Sequence, residues 1–547
     1  MATHEVRNQA PPLEGYNVYD QDPALVEGVA RHGGAGAEAG LRSLGERAGS
    51  AEAIGWGFEA NTNPPVLRTH DRFGNRIDRV VYHPSYHQLM AVAVGHGLHA
   101  LPWRPVPGPG AQVARAAGFY VWSQVEAGHG CPISMTYSVL PALAASTEVR
   151  DHWAPSLISS AYDPADRPGT SKAGALAGMA MTEKQGGSDV RANTTVAAPA
   201  PGDGADAYRL TGHKWFCSAP MGDLFLVLAQ APGGLTCFAL PRWAPDGARN
   251  AMFLQRLKDK LGNRSNASAE IELDGAWAQR LGEEGRGVAT IIEMVTHTRL
   301  DCVIGSAAGM RQAVAQATHH CAHRHAFGHP LVEQPLMQMV LADLAVESEA
   351  ATATMLRLAG AYDARGDEYE SAFGRLATAV AKYWICKRQP PLTAEALECL
   401  GGNGFVEESI MPRLFRESPL NGIWEGSGNV ICLDVLRALH RQPGSLDAFF
   451  EELERARGGD HRLDAAIDSL HGQLDPAAGD RDLRARRLVE QMALVLQGSL
   501  LVRFSHPAVA DAFCASRLGG DWGRAFGTLP SGVDAASIVG RATPKVG

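Results

Sequence analysis

Residues 423–439 read IWEGSGNVICLDVLRAL and set one carboxylate, Glu425, between an indole and a glycine at the start of a helical pattern. A charge beside Trp424 and Ile423 is poorly hydrated, so Glu425 is either a helix-start acid or a base held in a half-dry pocket. The stretch AMTEKQGGSDVRANT, residues 180–194, supplies a second group. Gly186 and Gly187 permit close backbone approach, and Thr182, Ser188 and Asp189 offer hydroxyl, carboxylate and amide groups to a polar ligand. A plain Gly-Ser turn has the same composition. In GHKWFCSAP, residues 212–220, Trp215 and Phe216 stand beside Ser218 on a strand pattern. Aromatic faces with an adjacent hydroxyl suit a flat heteroaromatic ring, and they equally suit a pair of core aromatics.

Two further segments carry charge near glycine. In ECLGGNGFVEESIMPRLFRES, residues 398–418, the amides around Gly401, Gly402 and Gly404 can approach an anion or end a helix. Glu408 with Arg413, and Arg416 with Glu417, read as surface ion pairs. CAHRHAFGHPLVEQP, residues 321–335, presents Arg324, whose guanidinium can grip a phosphate. His323, His325 and His329 lack the one-face spacing with a carboxylate that zinc needs, so no metal is expected.

The elements that must position these groups follow from pattern. Residues 1–180 show mostly helical spacing, as in SYHQLMAVAVGHGLHAL and GAQVARAAGFYVWSQVEAG, broken by Pro-rich loops. Residues 181–282 change to short alternating runs, DLFLVLAQ, GLTCFAL, MFLQRLKDK and SAEIELDGAW, and predict a small antiparallel β domain. Residues 283–440 return to helical spacing, with a proline-free run reaching His323 that needs packing partners. Residues 441–547 are helix-like again. Helices, strands, then helices is an α+β order that excludes an alternating βαβ dinucleotide fold.

Composition sets outer limits. The 547 residues exceed one core, and 45% hydrophobic with 20% charged residues is ordinary for a globular chain. Lys plus Arg number 50 against 59 Asp plus Glu, so no overall attraction to nucleic acid or anionic lipid is expected. No apolar run approaches the roughly 20 residues of a membrane span, and the first residues lack a signal-peptide core, which reads as a soluble cytoplasmic protein. The nine cysteines are scattered without a C-x-x-C pair and read as small buried hydrophobes.

Taken in order, these segments resemble the acyl-CoA dehydrogenase family over roughly residues 50–440. AMTEKQGGSDVRA and ECLGGNGFVEESIMPRLFRE match its two signatures. The resemblance implies an N-terminal helical domain, a middle antiparallel β domain, a C-terminal four-helix bundle and, in this chain, an extra helical C-terminal domain. It implies FAD held between β domain and bundle, in a homotetramer whose neighbouring subunits complete each site. Met181, Thr182, Gly187 and Ser188 fall on flavin and pyrophosphate contacts, and Ser218 on the hydroxyl near the flavin's reactive edge. Phe216 stands where most relatives have tryptophan. Arg324, Phe327 and Gly402 fall on contacts to the adenosine-diphosphate half, in part from an adjoining subunit. Glu398 stands where glutamine is more frequent. Trp424, Ser427 and Asn429 flank the base segment on the cofactor side. Glu425 falls on the base that takes the α-proton of an acyl-CoA thioester, a role that calls for a desolvated carboxylate. Some relatives carry that base on the long helix instead, where this chain has Thr298, which cannot take a proton.

GMAMTEKQGGSDV, GHKWFCSAP, LGNRSNASAEIELDGA and IWEGSGNVICLDVLRAL, with the tail of about 100 residues, resemble more closely the AidB-type branch. That branch comprises alkylation-response relatives of isovaleryl-CoA dehydrogenase. The resemblance implies a role in the adaptive response to DNA alkylation, double-stranded DNA binding through the C-terminal domain, and weak acyl-CoA dehydrogenation. Residues 441–547 hold thirteen Lys and Arg against fourteen Asp and Glu, so any phosphate contact must come from clustering. Arg481, Arg484 and Arg487 cluster within two helical turns, near Arg486, and form either a DNA-binding patch or a solvated helix face. A metabolic short-branched-chain acyl-CoA dehydrogenase without a DNA role, and a non-catalytic DNA-binding protein stabilised by FAD, are the alternatives.

Overall fold

Alternation of apolar and polar residues between 177 and 281 resolves into seven strands of one sheet in the computed structural model, which describes residues 3–474 and 480–546. Two further strands, β1 (Val66–His70) and β2 (Arg76–Val81), precede them as a hairpin. The helical reading of residues 1–180 did not expect this hairpin. Its turn is built by Asp71, whose Oδ1 accepts from the amides of Phe73 and Asn75 at 2.8 and 2.9 Å.

The seven strands are β3 (Ala177–Ala180), β4 (Val196–Pro199), β5 (Ala207–Ser218), β6 (Leu224–Ala231), β7 (Gly234–Pro241), β8 (Met252–Leu257) and β9 (Ser268–Leu281). Their order is β3-β6-β4-β5-β9-β7, with β8 on β9, and β7 also pairs β6, so the ring closes. Most pairings are antiparallel, but β3 and β4 each run parallel to β6, which makes the sheet mixed. Closure leaves β6 buried along nearly all its length, and Phe225, Val227, Phe238, Leu254 and Ile271 fill the interior. These strands, the hairpin and flanking helices form one compact unit, Glu52–Gly108 with Glu126–Thr298.

The second unit comprises Met1–Ala51, Pro109–Val125 and Arg299–Gly547. It takes up the long helix Gly287–His323 from Arg299 onward and contains the helices Pro335–Asp363 and Glu368–Cys399. The last of these passes through Pro390 and Pro391 without ending. The helix Gly428–Arg441 packs on Glu368–Cys399. The tail follows as Pro443–Glu454, His461–Gln473 and the tail helix Arg481–Phe504. Buried ions join tail to bundle. Glu452 accepts from Arg357 Nη2 at 2.9 Å, Arg503 Nη1 at 2.7 Å and the Tyr369 hydroxyl at 2.8 Å. Arg517, fully buried, pairs with Asp343 and with Glu347 at 3.1 Å. Among the described residues no helix is long and apolar enough to cross a membrane, and all nine cysteines are buried thiols.

Candidate active site

In the helical unit the site is organised around backbone carbonyls. Glu425 has φ +58°, a left-handed conformation uncommon for a residue with a side chain, and Gly426 follows at φ +108°. Three consecutive carbonyls of this loop are captured by cations. Lys382 Nζ donates to Trp424 O at 2.9 Å and Gly426 O at 2.5 Å, and Arg299 Nε donates to Glu425 O at 3.1 Å. Arg299 is in turn held by Asp434, 2.8 Å from its Nη1, and Arg375 adds a second bond to the same carboxylate at 3.1 Å. Burial alone would raise the Asp434 carboxyl; Arg299 and Arg375 outweigh it and hold it below its ordinary value.

The indole of Trp424 is fixed by a polar relay. Its Nε1 donates to Asn421 Oδ1 at 2.9 Å, and Asn421 Nδ2 donates to Ser306 Oγ at 3.1 Å. Oε2 of Glu425 is shielded from solvent. Burial raises the thiol of nearby Cys302 well above its ordinary value, with Lys382 opposing and Glu425 adding. A carboxylate shielded at Oε2, on a loop whose carbonyls an ammonium and a guanidinium pin, is an arrangement that can hold a proton acceptor in place. Thr298, by contrast, turns its hydroxyl back onto Val295 O at 3.1 Å, within its own helix.

In the strand-built unit a second constellation forms around a residue the sequence reading passed over. Glu183 is fully buried and binds Lys214 Nζ at 2.7 Å, the Thr194 and Thr195 amides at 2.6 and 3.1 Å, and the Thr195 hydroxyl at 2.6 Å. Burial works against its charge, yet Lys214 and these donors hold its carboxyl well below the usual carboxylate range. Lys214 is itself lowered by burial, with Glu183 opposing, and also donates to Leu228 O at 2.7 Å. Glu183 thereby shapes the loop that carries Met181, Thr182, Gly187 and Ser188. Met181 O accepts from Asn193 Nδ2 at 2.9 Å, and Thr182 O from the Trp215 amide at 2.8 Å. A Cβ on Gly187 would lie 2.4 Å from Thr182 Oγ1, so only glycine fits, and Ser188 is exposed. On β5, Phe216 is 49% exposed and Lys258 Nζ lies 4.7 Å from its ring centre. Ser218 Oγ lies 3.3 Å from Ser268 Oγ. A half-open ring beside a half-buried hydroxyl, with exposed loop amides near the Gly-Gly step, suits a cofactor that is flat at one end and anionic at the other.

The remaining candidates are placed as follows. Arg324 Nη1 donates to the carbonyl of Asn8, and Phe327 is 97% exposed at φ +54°. Gly402 opens a four-residue helix in the open, whereas the glycine with no room for a side chain is Gly404, whose Cβ would meet Leu397 O at 2.3 Å. Glu398 is exposed. Ser427 precedes the helix Gly428–Arg441, and Asn429 Oδ1 accepts from Arg486 of the tail at 3.0 Å. Arg481 turns toward Leu474 O, Arg484 is half-buried and Arg487 is exposed. Two expected ion pairs differ. Arg413 is buried and donates to Val125 O at 2.8 Å, and Arg416 pairs with Glu407 at 2.6 Å in place of Glu417. Among the described residues no three His, Cys, Asp or Glu gather to hold a metal.

A closed strand ring with a glycine-shaped loop, and an acid on a loop whose carbonyls are clamped by two cations, fit a flavin-dependent dehydrogenase class. The chain belongs to the acyl-CoA dehydrogenase family, FAD-dependent oxidoreductases that act on CH–CH donors. Residues 178–276 match the acyl-CoA dehydrogenase middle domain, 285–440 the acyl-CoA dehydrogenase C-terminal domain, and 8–164 the adaptive response protein AidB N-terminal domain. The AidB protein of Escherichia coli (strain K12) is 47% identical over 513 residues, 94% of either chain. Acyl-CoA dehydrogenase family member 11 of Caenorhabditis elegans is 30% identical over 497 residues, 85% of this chain and 79% of that one. The crystal structure of Caenorhabditis elegans ACDH-11 in complex with C11-CoA superposes with a TM-score of 0.86 at 26% identity, covering 94% of both chains.

Proposed function

We propose that this chain is an FAD-containing acyl-CoA dehydrogenase-like protein of the DNA alkylation response, in which Glu425 takes the α-proton of a bound acyl-CoA. The observation that carries the reading is the capture of carbonyls 424–426 by Lys382 and Arg299, which holds an acid in left-handed backbone beside a fixed indole. FAD, when bound, supplies the acceptor for the hydride that leaves the β-carbon. Met181, Thr182, Gly187, Ser188, Phe216 and Ser218 would hold it, and Gly402, Ser427, Asn429 and the Trp424 indole are the further residues that would contribute to its binding. Glu425 Oε2 holds the proton, and its shielding keeps water from competing for it. The C11-CoA in the Caenorhabditis elegans relative supports an acyl-CoA as substrate.

Anaerobic mixing with acyl-CoAs tests the reading. Wild type bleaches the flavin with at least one chain length, and Glu425→Gln does not. Bleaching that persists at full rate in Glu425→Gln removes the base assignment, and a colourless protein that no FAD restores removes the class assignment.

We assign DNA association to the first turns of the tail helix, with Arg481, Arg484 and Arg487 as the phosphate contacts. The likeness to AidB along nearly the whole chain supports it, and a cytoplasmic location accords with it. Arg484→Ala with Arg487→Ala weakens duplex DNA binding and reduces its salt slope by about 2, as expected for two phosphate contacts. Equal slopes in wild type and variant exclude the patch. A homotetramer, with Arg324 and Phe327 reaching the adenosine side of an adjoining subunit's FAD, is supported by the large exposed side chains Phe327, Leu336 and Phe405. A monomeric mass in solution rules it out.

A further inference from the structure

The helix that follows Glu425, Gly428–Arg441 (the base helix), starts without a side-chain cap. Ser427 occupies the cap position at φ −67° and ψ 169°, and its hydroxyl makes no bond to the first turn. Upstream, Lys382 and Arg299 fix the loop at Trp424, Glu425 and Gly426. Downstream, the first turn is gripped from the tail, where Arg486 Nη1 donates to Asn429 Oδ1 at 3.0 Å. The same guanidinium lies 5.8 Å from the ring centre of Tyr383, the residue next to Lys382. Arg486 thus bridges the helix that supplies the clamp and the helix that follows the base. Residue 486 lies beyond residues 285–440, which carry the family's C-terminal domain.

We infer that Arg486 is a positioning residue for Glu425. Through Asn429 it fixes the first turn of the base helix and limits the swing of residues 425–428, which the two glycines leave soft. The inference rests on the reading of Glu425 as the base. It separates Arg486 from the arginines assigned to DNA. Arg484 and Arg487 belong to a binding face, while Arg486 belongs to the site.

The test uses the full-length FAD-loaded protein and undecanoyl-CoA. A charge-assisted hydrogen bond on a partly open surface supports a loss of about three- to tenfold in the rate of flavin reduction at saturation for Arg486→Ala. Acyl-CoA affinity stays near wild type. Measured per bound flavin, Asn429→Ala shows at least the same loss, Arg486→Ala adds no further loss in the Asn429→Ala background, and Arg486→Lys recovers most of the rate. Hydrogen exchange at the amides of residues 425–430 quickens in Arg486→Ala and not in Arg486→Lys. Unchanged exchange there overturns the inference, whether or not this acyl-CoA reduces the flavin. Full-rate reduction in Arg486→Ala with none in Glu425→Gln overturns it while leaving the base assignment standing. Full-rate reduction in Glu425→Gln overturns both.

Discussion

Lys382 donates from its buried ammonium to the carbonyl of Trp424 at 2.9 Å, and the same nitrogen spans the loop to Gly426 O. One cation therefore closes the backbone on either side of Glu425. Without it, two inward carbonyls lose a charged donor and the left-handed turn loses its brace. Lys382→Met is expected to lower stability by about 3–6 kcal/mol, since hydrogen bonds to charged groups contribute about 1.5–3 kcal/mol each and two are lost. Flavin reduction by acyl-CoA should fall by more than the loss in folded fraction explains. Urea denaturation alongside stopped-flow reduction checks both, and a variant with wild-type rate per flavin would show that the clamp is not needed for chemistry.

The conformation of Glu425 carries its own consequence. Left-handed backbone costs a residue with a Cβ about 1–2 kcal/mol, and glycine avoids that cost. Glu425→Gly should therefore abolish acyl-CoA-dependent bleaching while raising the thermal midpoint or leaving it unchanged, the pattern of a site that trades stability for function. A marked drop in the midpoint would mean that the side chain, and not the backbone strain, dominates at this position.

The Glu183–Lys214 pair sets a different expectation. Both groups are fully buried, and removing one partner leaves the other charge without compensation, which typically costs about 3–5 kcal/mol. Glu183→Gln should destabilise the strand-built unit and release FAD, and adding Lys214→Met should restore much of the stability. Calorimetry and the ratio of flavin to protein absorbance report the two effects. A double variant as unstable as the sum of the singles would show that the two residues do not act as a pair.

The strands were legible because their alternation is a side-chain property. DLFLVLAQ and GLTCFAL could hardly be anything but β6 and β7. The proline-free run to His323 was legible for the same reason, at the helical period. The hairpin β1–β2 was not, because VLRTH and RIDRVV carry arginines on their exposed positions and lie among helical segments, although DRFGN marks the turn. Lys214 was missed because a charged residue on a strand reads as an outward one, and Glu183 because an acid in a Gly-rich loop reads as a solvated one; only the tertiary fold shows that each faces the other. Lys382 and Arg299 act on main-chain oxygens, and no side-chain pattern records which carbonyls a cation will meet. Glu425 itself could be picked out by its neighbours, but its clamp could not.

Glu452 connects the tail to the bundle through a group that titrates. Burial would raise its carboxyl, but bonds from Arg357, Arg503 and Tyr369 outweigh burial and bring it down to about 2 from an ordinary 4.5. A folded-state value below the unfolded one means that the stabilisation is fully present above about pH 4.5 and is lost as pH falls toward about 2. The difference corresponds to roughly 3 kcal/mol at neutral pH. Glu452→Gln should therefore lose stability at pH 6, and its deficit against wild type should shrink as pH falls from 5 to 3, because wild type then loses the same ion contacts. Urea unfolding followed by tryptophan fluorescence gives the two curves. Parallel curves across that range would place the acid sensitivity elsewhere. Converging curves would identify Glu452 as the residue whose charge keeps the tail, and with it Arg486, against the helices that hold the Glu425 loop.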